Sequence, residues 1–423
     1  MLNFWLAIII FLITYIFIIA EKYPRTVTVW VAAALAMALG VINQERAIEH
    51  VDFNTILLLI GMMVIVGITR KSGIFEYLAI KSAKVVKGEP MALLVVLALI
   101  TAVASALLDN VTTVLLIVPV TYALTDRLDI SPMPFLFTEI IASNIGGTAT
   151  LIGDPPNIMI GSATGLGFMD FIMNLALPSI IILVITIICL VFIYKKDLKA
   201  DHDKIESLMA LNEKDYIREW LILKKSLLVL GLTILGFLLH QKLHLESATV
   251  ALLGAGILML ITHEEPEEIL LSIEWPTIFF FAGLFILVGS LQVNGIISLI
   301  AQKLMLMTGD NIAFTGTIVL WLAALASTFI DNIPFVATMI PLLQEVGQLS
   351  QIPMESIWWS LALGACLGGN GSLIAASANV IVAGIAERHN TPIKFMDFFK
   401  VGFPLMILSI ILSNGYLYLF YWM

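Results

Sequence analysis

The sequence alternates long apolar runs with short polar segments. In the first half, apolar runs fall at residues 4–20, 27–42, 54–69, 91–124, 134–165 and 174–194. In the second half they fall at residues 227–240, 249–262, 276–290, 312–343, 355–386 and 403–422. Because a helix needs about 20 mostly apolar residues to cross a bilayer, this pattern predicts an all-α polytopic membrane protein with six elements in each half.

One apolar run is interrupted by a polar stretch from Ser143 to Asn157, which contains glycines, two adjacent prolines and the carboxylate of Asp154. Backbone groups freed by such a break are costly in lipid unless they line a protected or watery cavity. A second interruption, from Ala365 to Ser372, has the corresponding place in the second half. Both breaks are therefore predicted to belong to a site.

The two halves repeat each other at an offset of 222 residues. The shift carries Asp109-Asn110 onto Asp331-Asn332, and it also relates Pro119 to Pro341, Gly73 to Gly295 and Asn157 to Asn379. These matches predict an internal duplication. We divide the chain into a first repeat at 1–194, a linker at 195–226 and a second repeat at 227–423.

The distribution of positive charge predicts how the repeats are inserted. If the Asp-Asn elements are re-entrant hairpins, which enter and leave the membrane on one side, 19 of the 22 lysines and arginines fall on one face, as expected for the cytoplasmic face. Each half then has five true spans, and an odd number makes the two repeats inverted. Both termini are expected outside and the linker in the cytoplasm.

Composition supports the membrane assignment and excludes some functions. The chain is 60% hydrophobic and 13% charged, whereas about a quarter of residues are charged in a soluble domain. Its two cysteines, Cys189 and Cys366, cannot form a disulfide framework or a thiolate cluster. No G-x-x-x-x-G-K-[ST] motif is present, so nothing in the chain indicates an ATP-driven pump.

The carboxylates inside the apolar runs are candidates for coupling. Asp109 and Asp331 occupy equivalent positions, where a carboxylate usually binds an ion or carries a proton, although each could also cap the helix that follows. Asp154 and Glu139 have no acidic counterpart, since the shift carries them onto Ala376 and Leu361. Asp154 is a capping or a titrating residue, and Glu139 is a further candidate for proton binding.

The breaks also supply neutral hydrogen-bonding groups. They include Asn144, Thr148, Thr150, Asn157, Asn370, Ser372, Ser377 and Asn379. With freed carbonyls and helix N-termini, such groups can hold a small cation and an oxyanion or a neutral hydroxylated solute. No lysine or arginine lies in either break or at either Asp-Asn pair. A charged anion is therefore expected to rely on helix N-termini and a co-bound cation.

Three segments resemble the ion transporter superfamily, which includes arsenite permeases, NhaD-type antiporters, the melanosomal P protein and divalent-anion/sodium symporters. They are Leu108 to Thr113, Gly146 to Asn157 and Ile330 to Pro334. The resemblance implies a homodimer with an elevator-type transport domain. It also implies a site at Asp109, Asn110, Thr112, Asn144, Thr148, Asp154, Asn157, Asp331, Asn332, Asn370 and Asn379, to which we add Ser372 from the second break.

Several functions are consistent with these features. The first hypothesis is proton-coupled efflux of arsenite or antimonite, with Asp109, Asp331, Asp154 and Glu139 as coupling candidates. Sodium/proton exchange is the alternative, with sodium at Asp109, Asn110, Asn157, Asp331, Asn332 and Asn379, and sodium-coupled anion symport is the third. An intramembrane aspartyl protease lacks its Gly-x-Gly-Asp motif here, and a channel fits an inverted repeat less well.

No cofactor is expected beyond a coupling Na⁺ or H⁺. The expected partners are membrane lipid, a small inorganic solute, a second copy of the chain and a separate ATPase subunit, and no nucleic acid is expected. The expected location is the cytoplasmic membrane.

Overall fold

The computed structural model describes residues 2–20, 22–196, 198, 200–309, 311–350 and 352–423. Within these ranges the regular structure is entirely helical. The fold class predicted from the alternation of apolar and polar segments is therefore confirmed at this level.

The first half contributes eleven α-helices. They are α1 (Leu2–Ala20), α2 (Arg25–Ala38), α3 (Gln44–Glu49), α4 (Phe53–Lys71), α5 (Ile74–Val85), α6 (Pro90–Leu107), α7 (Asn110–Leu128), α8 (Met133–Thr148), α9 (Pro155–Thr164), α10 (Phe168–Phe171) and α11 (Leu177–Tyr194). A π-helical turn, Ile172–Ala176, joins α10 to α11.

The linker and the second half contribute the remaining helices. They are α12 (His202–Met209), α13 (Trp220–Leu239), α14 (Ser247–Thr262), α15 (Pro266–Leu270), α16 (Trp275–Val293), α17 (Ile296–Thr308), α18 (Ile312–Phe329), α19 (Asn332–Leu349), α20 (Glu355–Gly368), α21 (Ser377–Arg388) and α22 (Phe395–Leu417).

Among the described residues, nine helices are long and apolar enough to cross a membrane. They are Leu2–Ala20, Phe53–Lys71, Pro90–Leu107, Asn110–Leu128, Phe168–Tyr194, Trp220–Leu239, Trp275–Val293, Ile312–Phe329 and Phe395–Trp422. Helices α1 and α13 expose many large apolar side chains, which suits a surface that faces lipid. The broken helices α8, α9, α20 and α21 are largely buried and lie at the centre of the molecule.

The helices recur at the 222-residue offset noted in the sequence. The shift carries the start of α4 onto that of α16, and the starts of α5 to α9 onto those of α17 to α21. Gly73 and Gly295, which precede α5 and α17, have φ of 81° and 75°, a left-handed conformation that glycine adopts without strain. Helix α17 was not predicted by the apolar pattern, although the match between these glycines indicates it.

Helices of the two halves pack against each other reciprocally. Helix α4 packs against α14, and the equivalent helix α16 packs against α2. At these contacts a Cβ on Gly61 would meet Ala251 at 2.7 Å, and a Cβ on Gly283 would meet Val29 at 2.9 Å. The 222-residue shift relates Gly61 to Gly283 and Val29 to Ala251. Such an exchange is what an approximate two-fold axis between the halves produces.

The linker packs on the first half. Leu198 and Leu208 join the buried cluster that contains Ile80 of α5. Lys84 donates hydrogen bonds to the Leu211 carbonyl oxygen at 2.9 Å and to Glu213 Oε2 at 2.8 Å, and the bond from Lys84 holds the pKa of the Glu213 carboxyl below its usual range. Helix α5 therefore uses part of its polar face to hold the linker.

Candidate functional site

Two helical hairpins each end in an aspartate. We call Leu108 to Asn110, between α6 and α7, the first tip, and Ile330 to Asn332, between α18 and α19, the second tip. Asp109 Oδ1 accepts a hydrogen bond from the Thr112 backbone N at 2.8 Å, and Asp331 Oδ1 accepts one from the Ile333 backbone N at 3.0 Å. Both aspartates therefore cap the helix that follows, and both are nearly buried.

The first helix break is shorter than the polar stretch that predicted it, and the second lies four residues further along the chain than predicted. The first break is residues 149–154, between α8 and α9, and the second break is residues 369–376, between α20 and α21. Each break is stabilised by an asparagine. Asn157 Nδ2 donates to the carbonyl oxygens of Thr148 and Thr150 at 3.1 and 2.9 Å, and Asn379 Nδ2 donates to those of Gly369 and Ser372 at 2.7 and 2.9 Å.

These matched bonds explain why asparagine occupies both positions. A broken helix leaves carbonyl groups without their intrahelical donors, and a buried carbonyl without a donor is unfavourable. One amide side chain supplies two donors, so each asparagine satisfies carbonyls that the break would otherwise leave unpaired.

A cluster of four asparagines joins the first tip to the second break. Asn144 Nδ2 donates to Asn370 Oδ1 at 3.0 Å and to Asn379 Oδ1 at 3.1 Å, and Asn144 Oδ1 accepts from Asn110 Nδ2 at 3.3 Å. All four side chains are buried. The Nδ2 group of Asn370 has no hydrogen-bond partner within the described residues. The cluster therefore offers a free donor at the centre of the molecule, where a polar solute could accept a hydrogen bond.

The second tip approaches the first break. Asn332 Nδ2 lies 3.4 Å from each carboxylate oxygen of Asp154. Asp154 occupies the N-cap position of α9, but its side chain makes no capping hydrogen bond. The capping alternative for Asp154 is therefore wrong, and its carboxylate faces the second tip. Asp109 and Asp331 both lie within electrostatic range of Asp154.

Cys366 lies at the same centre, next to the first break. Its Sγ is 3.5 Å from Asn157 Oδ1, and the side chain is fully buried. The 222-residue shift relates Cys366 to Asn144, so the two residues occupy equivalent positions in the two halves. Only the asparagine makes the wider set of amide contacts.

A basic residue lies at the second tip, contrary to the expectation from the sequence. Arg25, at the start of α2, forms an ion pair with Asp331. Its Nη2 donates to Ser377 Oγ at 2.7 Å. The sequence placed no lysine or arginine at a tip because Arg25 belongs to a helix in the other half of the chain. A positive charge therefore lies at the second tip, although in this conformation it is paired with Asp331.

Some candidates lie apart from the central groups. Glu139 is buried between α8 and α7, where Oε1 accepts a hydrogen bond from Thr121. Its Oε2 has no partner in the part of the chain that the structure describes. Thr112 bonds to Asp109, Thr148 to the Asn144 carbonyl, and Ser372 to the Thr328 carbonyl. These three side chains support the tips and breaks rather than joining the amide cluster.

The residues suggested for sodium have different hydrogen-bond and ion-pair partners. Asn110 and Asn379 both contact Asn144, whereas Asn332 contacts Asp154. Asp331 is paired with Arg25, and the amide nitrogen of Asn157 is used by break carbonyls.

A duplicated bundle of membrane-spanning helices with polar breaks near its centre is the architecture of a secondary transporter. The family described as CitMHS, citrate transporter, matches residues 15–364. The chain belongs to this family. It is a multi-pass membrane protein and a transporter rather than an enzyme.

Relatives at high identity cover almost the whole chain. It is 43% identical over 421 residues to "Uncharacterized transporter Rv2684" of Mycobacterium tuberculosis, covering 98% of both chains. It is 41% identical over 425 residues to the "46 kDa membrane protein" of Mycobacterium leprae, again covering 98% of both. It is 34% identical over 487 residues to the human "P protein", covering 95% of this chain and 58% of that one.

Two solved transporters share the fold. The YdaH transporter of Alcanivorax borkumensis aligns with a TM-score of 0.62 and 13% identity, over 99% of this chain and 98% of that chain. MtrF of Neisseria gonorrhoeae aligns with a TM-score of 0.59 and 13% identity, over 92% and 84%. At this identity the likeness concerns the fold alone.

Proposed function

We propose that the protein is a secondary active transporter of the cytoplasmic membrane that exports a small inorganic oxyacid, with arsenite or antimonite favoured, in exchange for protons. The observation that carries this proposal is the central cluster of Asn110, Asn144, Asn370 and Asn379. A buried set of amides with a free donor on Asn370 suits a neutral, hydroxylated solute, because it supplies donors and acceptors without net charge.

The aspartates supply the proton coupling in this proposal. Asp109 and Asp154 are buried, and neither forms an ion pair with a lysine or arginine of the described residues. A buried carboxylate without a cation is costly in a membrane. Proton binding removes that charge, so the protonation state of these residues can differ between the conformations that face the two sides of the membrane.

We further propose that the two repeats are inverted and that transport is of the elevator type. The exchanged contacts of Gly61 with Ala251 and of Gly283 with Val29 support a two-fold relation. The concentration of lysine and arginine on one set of loops supports an axis in the membrane plane. The proposed division into residues 1–194, 195–226 and 227–423 follows from the same relation. Assembly as a homodimer is proposed from the resemblance to the ion transporter superfamily.

Arg25 favours a second candidate function. A guanidinium at the second tip could bind a carboxylate or another oxyanion in two-pronged fashion. The description of the family names citrate. Sodium-coupled uptake of an anion is therefore the alternative to which a specific contact points, and sodium/proton exchange is the third candidate.

Transport assays on purified protein in liposomes distinguish these three candidate functions. Arsenite, sodium and succinate are offered in parallel under imposed pH and sodium gradients. We expect saturable arsenite flux that follows the pH gradient and does not require sodium. Succinate uptake that requires sodium would replace the proposal with anion symport. Sodium flux driven by pH without any arsenite flux would replace it with sodium/proton exchange.

A further inference from the structure

Arg25 is held at the second tip by contacts with several elements. Its Nη1 donates to Asp331 Oδ2, and its Nη2 donates to Ser377 Oγ at 2.7 Å. Ser377 Oγ in turn lies 3.1 Å from Asp331 Oδ2. The guanidinium carbon is 5.1 Å from the centre of the Phe280 ring, close enough for a cation–π contact. The arginine thus connects α2 and α16 to the tip before α19 and to the start of α21.

The first tip has no such partner. The 222-residue shift relates Arg25 to Ser247, and no lysine or arginine in the described ranges pairs with Asp109, whose carboxylate bonds to Thr112. Two aspartates that are equivalent in the repeat therefore differ in charge environment. One is neutralised by an arginine, and the other is not.

The Arg25–Asp331 pair is not fully enclosed by the protein. A cavity of about 190 Å³ borders the pair. Its lining includes Ile18, Tyr23, Ile330, Ile374 and Val380. The side chain of Arg25 is 32% exposed, whereas that of Asp331 is only 8% exposed. Both residues line the cavity, and the arginine is the more exposed of the two.

We propose that Arg25 is a positioning residue of the transport site: a tethered cation that occupies Asp331 in this conformation and is displaced when the coupling cation, a proton or sodium, binds there. This inference rests on the proposed cation coupling. Arg25 and a bound cation compete because both satisfy the same carboxylate oxygen. Displacement also frees the tip from α2, which links cation binding to movement of the tip.

Other charged and titratable groups face this pair. They are Tyr15 of α1, Asp154 before α9 and Glu274 before α16, each of which interacts electrostatically with Asp331 or Arg25. None of these carries a positive charge that could replace the arginine. Removal of Arg25 therefore leaves Asp331 without a cation.

The test measures cation binding without any transported solute. The unfolding temperature of purified wild-type protein, Arg25→Gln and Lys22→Gln is recorded against sodium concentration at fixed pH and, separately, against pH without sodium. A cation that binds the folded state raises the unfolding temperature. We expect Arg25→Gln to reach its half-maximal rise in unfolding temperature at a cation concentration about tenfold or more below that of the wild type. The reason is that a carboxylate binds cations more tightly when an adjacent positive charge is removed. Lys22→Gln removes a nearby exposed charge and should match the wild type.

An unchanged half-maximal concentration in Arg25→Gln would overturn the proposal, as would an equal shift in Lys22→Gln or the absence of any cation response in both proteins. If Arg25→Gln does not fold, Arg25→Lys decides the question. A lysine keeps the positive charge but lacks the planar guanidinium whose two nitrogens contact Asp331 and Ser377 separately, so a smaller shift in the same direction is expected, and no shift contradicts the proposal. A cation response of this kind without arsenite flux would overturn only the proposed substrate.

Discussion

At the residue scale, the centre of the molecule is held together by neutral amides. Asn144 in the first half donates to Asn370 and Asn379 in the second, while Asn157 and Asn379 satisfy the carbonyls of the breaks. The asparagines that stabilise the breaks can therefore be distinguished from those that are available to bind a solute. Asn157 is committed to the backbone, whereas Asn370 keeps a free Nδ2. We infer that Asn370 and Asn144 contact the solute directly.

Substitution of Asn144 tests the cluster. Asn144→Ala leaves the Oδ1 atoms of Asn370 and Asn379 without their donor from Asn144, and a buried polar group left unpaired costs about 1–3 kcal/mol. We expect a clear drop in unfolding temperature and loss of transport. Ser143→Ala is the matched control, because the Ser143 hydroxyl bonds only to the Ile140 carbonyl of its own helix. Equal stability of the two variants would show that the cluster does not join the halves.

The sequence predicted which polar residues lie at the tips and breaks better than it predicted their contacts. The tip aspartates and the asparagines of the breaks were visible because a polar residue inside a membrane run is costly. The position of Arg25 was not predictable, since its contact with Asp331 spans 306 residues and has no counterpart under the repeat. The capping alternative for Asp154 also looked reasonable, because only the fold brings Asn332 to its carboxylate.

At the element scale, helices α5 and α17 are equivalent but have different surroundings. Each follows a glycine in the left-handed conformation. A Cβ on Gly73 would lie 2.0 Å from the Tyr216 carbonyl oxygen of the linker, whereas a Cβ on Gly295 would have no atom within 4 Å. The linker therefore packs against the start of α5, and this contact has no counterpart at Gly295. Helix α17 was missed in the sequence because Gln302 and Lys303 interrupt its apolar pattern.

These two glycines form a matched pair for mutation. Gly295→Ala should cost only the strain of a left-handed alanine, about 1–2 kcal/mol. Gly73→Ala carries the same strain and also collides with the linker backbone. Thermal unfolding in detergent should therefore show a larger loss of stability for Gly73→Ala. Equal losses would mean that the linker does not pack against α5.

At the scale of the whole molecule, the two halves are related by exchanged contacts and by a common set of helix breaks. The 222-residue offset seen in the sequence gave these relations before the structure did, because duplicated halves keep their glycines, prolines and caps in register. The orientation of the halves in the membrane is a different matter. It rests on the loop charges, and an experiment on sidedness tests it.

The sidedness of the two halves can be tested at Lys81 and Lys303. They are exposed and equivalent under the repeat, so inverted halves place them on opposite faces of the membrane. In a background without Cys189 and Cys366, Lys81→Cys should react with an impermeant thiol reagent only from the cytoplasmic side. Lys303→Cys should react only from the other side. Reaction of both cysteines from one side would exclude inversion.

The central claim is that movement of a neutral solute through the amide cluster is coupled to protons by the tip aspartates. The most direct measurement follows internal pH and arsenite together in the same proteoliposomes. For the wild type we predict that arsenite movement changes internal pH in a fixed ratio, and that Asp109→Asn and Asp331→Asn, although folded and inserted, abolish both signals. Arsenite flux that leaves internal pH unchanged, or wild-type coupling in both variants, would contradict the account.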